Sequence, residues 1–353
     1  MAEIGNPSAL LIVNPAAGDA AGFLDGLTKT ARERGIRAHV LEPGEDARLA
    51  AIAAAEDGSE VLAVAGGDGT VSAVAAVAAE RGVALAIVPM GTLNHFARDL
   101  GLDLARPLSA LDALRAGRER RVDVGRINGR LFINNVSLGL YAEMVGDPGY
   151  RHDKLGVATT KLRDALSDPE HRGALRITPP EGGPLEGVLA LVVSNNPYEF
   201  ARLGRLGQRH SLDTGMLQIS AFDASMLGAL VERLLSGTPI GAIDIRPALR
   251  HWTSERLQMG ILGERVRAGV DGEPTTLEAP LRFSVEPGAL RVLVLEGVPE
   301  DRRVPPQGAG LRAARTLRQW LRPTLVEQES GSGDPHGRTA PDTVGPQRPE
   351  SGR

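Results

Sequence analysis

The stretch Val61-Leu62-Ala63-Val64-Ala65-Gly66-Gly67-Asp68-Gly69-Thr70-Val71-Ser72 decides the fold. Its first five residues form an apolar run with the length and branching of a buried strand. The run breaks into Gly66-Gly67-Asp68-Gly69-Thr70 and resumes as an Ala/Val-rich helical segment, Val71 to Glu80. The spacing predicts strand, turn and helix, with three glycines that let backbone amides approach an anion in front of a helix N-terminus. Asp68 is the one charge in this turn. It reads either as a helix cap or as a carboxylate that shares Mg²⁺ with a phosphate.

Upstream, Ala9 to Val13 reads as a strand running into Asn14-Pro15-Ala16-Ala17-Gly18, followed by a helix over 19–34 that Gly35 closes. A strand over 36–41 and a helix over 46–56 lead back to the glycine turn. Downstream, Val83 to Val88 is a fourth strand, and it empties into Pro89-Met90-Gly91-Thr92-Leu93-Asn94-His95-Phe96-Ala97. Strands alternating with helices at this spacing predict a parallel sheet with helices on both faces. Ligands of such sheets lie beyond the carboxyl ends of the strands. Three strand exits therefore line one crevice: Asn14-Pro15, Gly66 to Thr70 and Gly91 to Asn94. In the third exit Gly91 permits close approach and Thr92 offers a hydroxyl. Asn94 either bonds a phosphate, ribose or base, or caps the next helix. His95 reads as a helix-surface residue rather than a base.

The pattern changes near residue 120. Segments 121–126 and 131–136 flank Asn128-Gly129, a strong hairpin signal. Beyond a helix over 153–166 come strands over 174–178, 188–194, 216–222, 256–262, 265–269, 281–285 and 290–295, with one helix over 225–235 among them. Runs of strands with short polar turns predict an antiparallel sandwich. The expected organisation is α/β plus β: a three-layer, parallel-sheet α/β domain over 1–121 and a β-sandwich domain over 122–297, with a cleft between them. A basic helix over 298–322 either docks on the first domain or lies on anionic lipid, where Trp320 and the arginines would be favoured. The tail over 323–353 is too rich in Gly, Ser, Pro and Glu to order itself.

Asp271-Gly272-Glu273 reads as a hairpin turn, yet phosphoryl transfer needs a residue that orients the attacking hydroxyl, and Glu273 is a candidate. Asp213-Thr214-Gly215 reads as a cation ligand or as a turn. Asp123 and Glu143 read as structural. Arg202, Arg205 and Arg209 form a basic loop cluster, solvated or able to attract an anionic headgroup. The net charge of −4 gives no basic field for nucleic acid. The chain has no cysteine, which excludes thiol chemistry and suits a reducing compartment. No uncharged apolar run reaches the ~18–20 residues of a spanning helix, so the chain is expected in the cytoplasm, at most peripheral at the inner face of a membrane.

Taken in order, the Asn14 to Gly18, Gly66 to Thr70, Pro89 to Ala97 and Val270 to Glu273 motifs resemble those of the diacylglycerol kinase catalytic family of soluble bacterial lipid kinases, relatives of sphingosine kinases. The resemblance covers about residues 8–296. It implies that ATP contacts Asn14, Pro15, Ala16, Ala17, Gly18, Gly66, Gly67, Asp68, Gly69, Thr70, Val71, Ser72, Gly91, Thr92 and Asn94. It also implies Mg²⁺ at Asp68, with Asp213 a second candidate ligand, and Glu273 as general base in competition with Asp68. Thr214 stands where the family often has an acid, which puts a second metal in doubt, and the threonine that commonly follows the second strand is absent from Leu41-Glu42-Pro43. The implied partner is a lipid with a free hydroxyl, met by transient membrane contact. The implied reaction is ATP-dependent phosphorylation of diacylglycerol or a related lipid in phospholipid metabolism. The alternatives are a kinase of another hydroxyl substrate, such as NAD or a sphingoid base, and a non-catalytic nucleotide-binding regulator. A homodimer is left open.

Overall fold

The structure is a computed structural model that describes residues 8–18, 20–145, 147, 175–177, 185–198, 209–223, 249–261 and 263–295. The expected helices over 153–166, 225–235 and 298–322, the tail over 323–353, and Arg202 and Arg205 lie outside the described residues.

In chain order the first elements are β1 Ala9–Val13, α1 Ala20–Glu33, β2 Arg37–Val40, α2 Ala47–Glu56, β3 Val61–Gly66, α3 Asp68–Arg81, β4 Ala84–Pro89 and α4 His95–Asp99. A 3-10 turn, Pro107–Asp112, leads to α5 Ala113–Ala116, β5 Arg118–Ile127, β6 Arg130–Phe132, β7 Asn135–Gly139 and α6 Leu140–Val145. Then come β8 Leu175–Ile177, β9 Leu185–Asn195, β10 Leu217–Asp223, β11 Leu249–Ser254, β12 Arg256–Met259, β13 Arg265–Val270, β14 Glu273–Glu278 and β15 Leu281–Val294.

Strands β1, β3 and β4 run parallel and are nearly continuous apolar sequence because both of their faces are covered. The two-residue period of a strand sorts their side chains. Ile12, Leu62, Val64, Leu85 and Ile87 pack beneath Val71, Val74 and Val77 of α3 and Ala51 and Ala54 of α2. Leu11, Val13, Ala63, Ala65, Ala86 and Val88 face the other way, onto Leu27 and Ala31 of α1 and Leu111 and Leu114 beyond β4. These are the three layers expected of the first lobe.

The sheet does not end there. Its order is β2-β1-β3-β4-β15-β5-β6, with β12 on β15. The segments read from sequence as two strands, 281–285 and 290–295, form one strand whose pairing with β5 shifts register between Glu286 and Leu290. The second half of β15 pairs parallel with β4, and Leu290 and Val292 enter the first core. In its first half, Leu281 and Phe283 enter a separate core with Val136, Leu138, Leu191, Val193 and Ile219. That core is closed on its other side by a seven-stranded antiparallel sheet, order β11-β10-β9-β7-β13-β14, with β8 on β9. The sandwich is therefore an antiparallel sheet laid over the far end of the first sheet. Strands β5 and β15 run through both lobes. The single strand expected over 131–136 is split, because the chain leaves the first sheet after β6 and enters the antiparallel sheet as β7. Strands β11 and β14 escaped the sequence reading altogether, β14 because it opens Glu273-Pro274 and carries few apolar residues.

Candidate active site

The glycine turn forms as the sequence implies. Gly67 is the N-cap of α3 and offers no side chain to the helix end. The amide of Val71 bonds Gly67 O at 3.0 Å, so the amides ahead of it, at Asp68, Gly69 and Thr70, have no intrahelical acceptor. The helix is 14 residues long, and its partial positive end coincides with those amides. Val71 turns its side chain into the core, so nothing of Val71 beyond its main chain faces the turn.

The other two strand exits press against this one. Asn14 Nδ2 donates to Thr70 Oγ1 at 2.8 Å, and Asn14 Oδ1 accepts Ala16 N–H at 2.9 Å, which fixes the first turn. Gly18 sits at φ +53°, where a Cβ would lie 2.4 Å from Met90 O. A Cβ on Gly91 would lie 2.6 Å from Gly67 Cα. The backbones of the three exits thus pack closer than any side chain allows. Asn94 adopts the left-handed conformation at φ 50°. Its amide spends both ends on Gly91, accepting from Gly91 N at 2.8 Å and donating to Gly91 O at 2.6 Å. Asn94 therefore builds its turn. Thr92 is exposed at the tip, while Ser72 Oγ is buried beside the Asp271 carboxylate but outside hydrogen-bond geometry.

Asp68 Oδ1 accepts His95 N–H at 2.7 Å, joining the glycine turn to the start of α4. Oδ2 takes no hydrogen bond from a described residue, so one oxygen is left for a cation. His95 is not the solvent-facing residue expected. It is half-buried, and burial holds its imidazole below the ordinary histidine range against the pull of Asp68 and Asp99.

Glu273 reaches this site from the other lobe. It is the first residue of β14, in a hairpin with β13, and its residue surface is exposed. Its carboxylate nevertheless points at the glycine turn: a Cβ built on Gly69 would lie 2.6 Å from Glu273 Oε1. The preceding Asp271 adopts φ 51° and binds three amides of the β6–β7 link. Oδ2 accepts Ile133 N at 2.9 Å, and Oδ1 accepts Asn134 N at 2.7 Å and Asn135 N at 3.1 Å. Burial pushes the Asp271 carboxyl up, and those amides oppose it. Asp271 thus locks the hairpin that presents Glu273.

Asp213 is exposed, with its carboxylate on the Ser211 hydroxyl. Thr214 Oγ1 donates to Asn196 Oδ1 at 2.6 Å, and Asp123 accepts Gly215 N at 2.7 Å and Gly288 N at 2.9 Å. Hydrogen bonds close this loop, and no group of three or more acids or histidines gathers for a metal among the described residues. A lone carboxylate and a hydroxyl are a poor donor set for Mg²⁺. Asp123 is structural, as read. Glu143 pairs with Arg267 at 3.1 Å. Sequence reading missed Arg209, noted only as part of a basic cluster: its side chain is fully buried against Asp99. Asp99 and Asn134 also escaped it. The polar pairs Asn134-Asn135 and Asn195-Asn196 at strand ends were the available signal.

Residues 8–127 match the family model described as "Diacylglycerol kinase catalytic domain". The chain is 35% identical over 268 residues to a Pseudomonas aeruginosa protein named "Probable lipid kinase YegS-like", covering 74% of this chain and 85% of that one. It is 29% identical over 200 residues to the "Diacylglycerol kinase" of Bacillus subtilis, covering 55% of this chain and 65% of that one. A solved structure of a diacylglycerol kinase from Bacillus anthracis superposes with a TM-score of 0.59 at 21% identity, covering 83% of this chain and 98% of that one. At that identity the likeness shows the fold alone.

Proposed function

Because the chain belongs to the diacylglycerol kinase catalytic domain family, we propose that it transfers the γ-phosphoryl group of ATP to a hydroxyl of diacylglycerol or a related lipid. The observation that carries this reading is the carboxylate of Glu273 set against Gly69, across from the amide-rich end of α3.

The amides of Asp68, Gly69 and Thr70 hold phosphate oxygens, with the Asn14 and Gly91 turns packed behind them. Asp68 Oδ2, with phosphate oxygens, fits a Mg²⁺ ion, which offsets charge on the transferring group when bound. Glu273 accepts the proton of the acceptor hydroxyl as that oxygen bonds to the γ-phosphorus and the bond to the leaving diphosphate breaks. Asp68 keeps the phosphate and cation contact rather than the role of base, because it sits among the anion-binding amides. No such cation is assigned to Asp213, whose donor set does not fit one. Nucleotide is assigned to the lobe of the parallel strands and lipid to the lobe of the antiparallel sheet. The expected boundary at 121/122 is softened, because Val122, Val124, Leu290 and Val292 pack in the first core. Among the described residues no helix is long and apolar enough to cross a membrane, and the lipid is reached by transient contact at the cytoplasmic face.

The test is phosphorylation of a total lipid extract, and of a panel of diacylglycerol, sphingoid bases and NAD, with labelled ATP. A labelled lipid product is expected. Glu273→Gln should cut turnover by about 10²–10⁴-fold and leave ATP affinity near that of the parent protein. Labelled NAD alone, or ATP binding without transfer to any acceptor, overturns the lipid kinase reading.

A further inference from the structure

A run of hydrogen bonds leaves Asp68 and crosses into the second lobe, where it reaches the hairpin whose Glu273 lies against Gly69. It begins with Asp68 and the amide of His95, the first residue of α4. The last residue of α4, Asp99, accepts Arg209 Nε at 2.7 Å. Arg209 Nη1 donates to Ile133 O at 2.6 Å and Asn195 O at 3.0 Å, and Nη2 donates to Asn134 Oδ1 at 2.8 Å. Ile133 and Asn134 open the three-amide segment that Asp271 binds. Two residues after Asp271, the Glu273 carboxylate lies against Gly69 without bonding to it.

From this run of bonds we propose that Arg209 is a positioning residue for phosphoryl transfer: it touches neither nucleotide nor acceptor, and it sets where Glu273 stands relative to the glycine turn. The inference rests on the proposed phosphotransfer. Its physical basis is the shape of the guanidinium, a planar fork that satisfies several acceptors at fixed angles, which an ammonium does not. The fork cannot swing: its side chain is 0% exposed, and its faces lie over the Phe96 ring at 5.8 Å and the Tyr198 ring at 5.1 Å from the ring centroids. Burial works against the charge, and the Asp99 carboxylate beside it works to keep it. Glu273 needs such a brace because among the described residues no hydrogen bond pins its carboxylate. Its placement is inherited from the backbone of the hairpin, and the hairpin from the 133–135 segment that Arg209 grips.

The test is Arg209→Lys, which keeps a cation beside Asp99 and removes the fork. The expected result is a kcat lowered ten- to a hundredfold and ATP affinity within twofold of the parent, with a folded protein whose thermal midpoint is lower because buried acceptors lose their donor. The discriminating readout is a cycle with Glu273→Gln. In that background Arg209→Lys should lower turnover no further, because the group it places is already inert. An unchanged kcat overturns the proposal, as does an equal loss in both backgrounds. Failure of Arg209→Lys to fold also overturns it, in favour of a purely structural role. If the parent protein itself transfers no phosphoryl group to any lipid, the kinase reading fails instead, and the two failures are told apart before the variant is made.

Discussion

Gly69→Ala separates the site's geometry from its stability. The added methyl would sit 2.6 Å from Glu273 Oε1 and 3.4 Å from its carboxyl carbon. Ordinary contact begins at 3.4 Å, so the oxygen must retreat by about 0.8 Å. The obstacle is the end of a flexible side chain, and rotation of the Glu273 side chain relieves it cheaply. Gly69 lies in the first turn of α3, where alanine is the better helix former by up to about 1 kcal/mol. The variant should be as stable as the parent or slightly more so. A misplacement near 1 Å costs about 10²-fold in rate, so a retreat of this size should lower turnover by roughly 30- to 100-fold, about 2–3 kcal/mol in the barrier. The assay pairs steady-state turnover on the labelled lipid with calorimetric ATP binding and a thermal melt. Turnover within threefold of the parent, with the melt unchanged, would refute the idea that Gly69 is bare to admit Glu273. An equal fall in ATP affinity would refute it differently, by showing that the methyl obstructs the nucleotide.

Gly18→Ala meets a different obstacle, a main-chain carbonyl at 2.4 Å from a position with φ +53°. A main-chain atom cannot step aside, so a loss of about 1–3 kcal/mol and weaker ATP binding are expected together. A variant with parental midpoint and affinity would contradict the packing of the three exits. Glu119 hydrogen-bonds Arg291 across β5 and β15, and that bond holds its carboxyl below the ordinary glutamate range against burial. The folded chain therefore binds this proton less readily than the unfolded chain. The contribution is complete above about pH 4.3 and is lost as pH falls through the lower folded value. Glu119→Gln should lower the thermal midpoint at pH 7 and converge with the parent as the medium becomes more acid than the lowered range of the folded carboxyl. A gap of constant size across that range would exclude the pair as its source.

The first lobe was legible because its signals are local. An all-apolar strand such as Val61 to Ala65 can only be covered on both faces, and glycine followed by helix at Gly66 to Val71 leaves few alternatives to a turn with free amides. The second lobe was less legible because its decisive pairings are remote. Nothing in Leu281 to Val294 states that its first half pairs beside β12 and its second beside β4, since an alternating strand carries no label for its neighbours. The same limit hid the brace of the site. Asp68 and Glu273 stand out because each sits in a motif, whereas Asp99, Asn134 and Arg209 become a unit only when three chain segments meet. His95 shows the converse error: a polar residue at a short helix start was read as solvent-facing, yet it is half-buried between two acids. The shared strands give these separate facts a common cause. With β5 and β15 continuous through both lobes, the acid of one lobe is already set against the glycine turn of the other. On the proposed mechanism, the placement of Glu273 then depends on side chains buried at the junction, such as Arg209, more than on a hinge between independent domains.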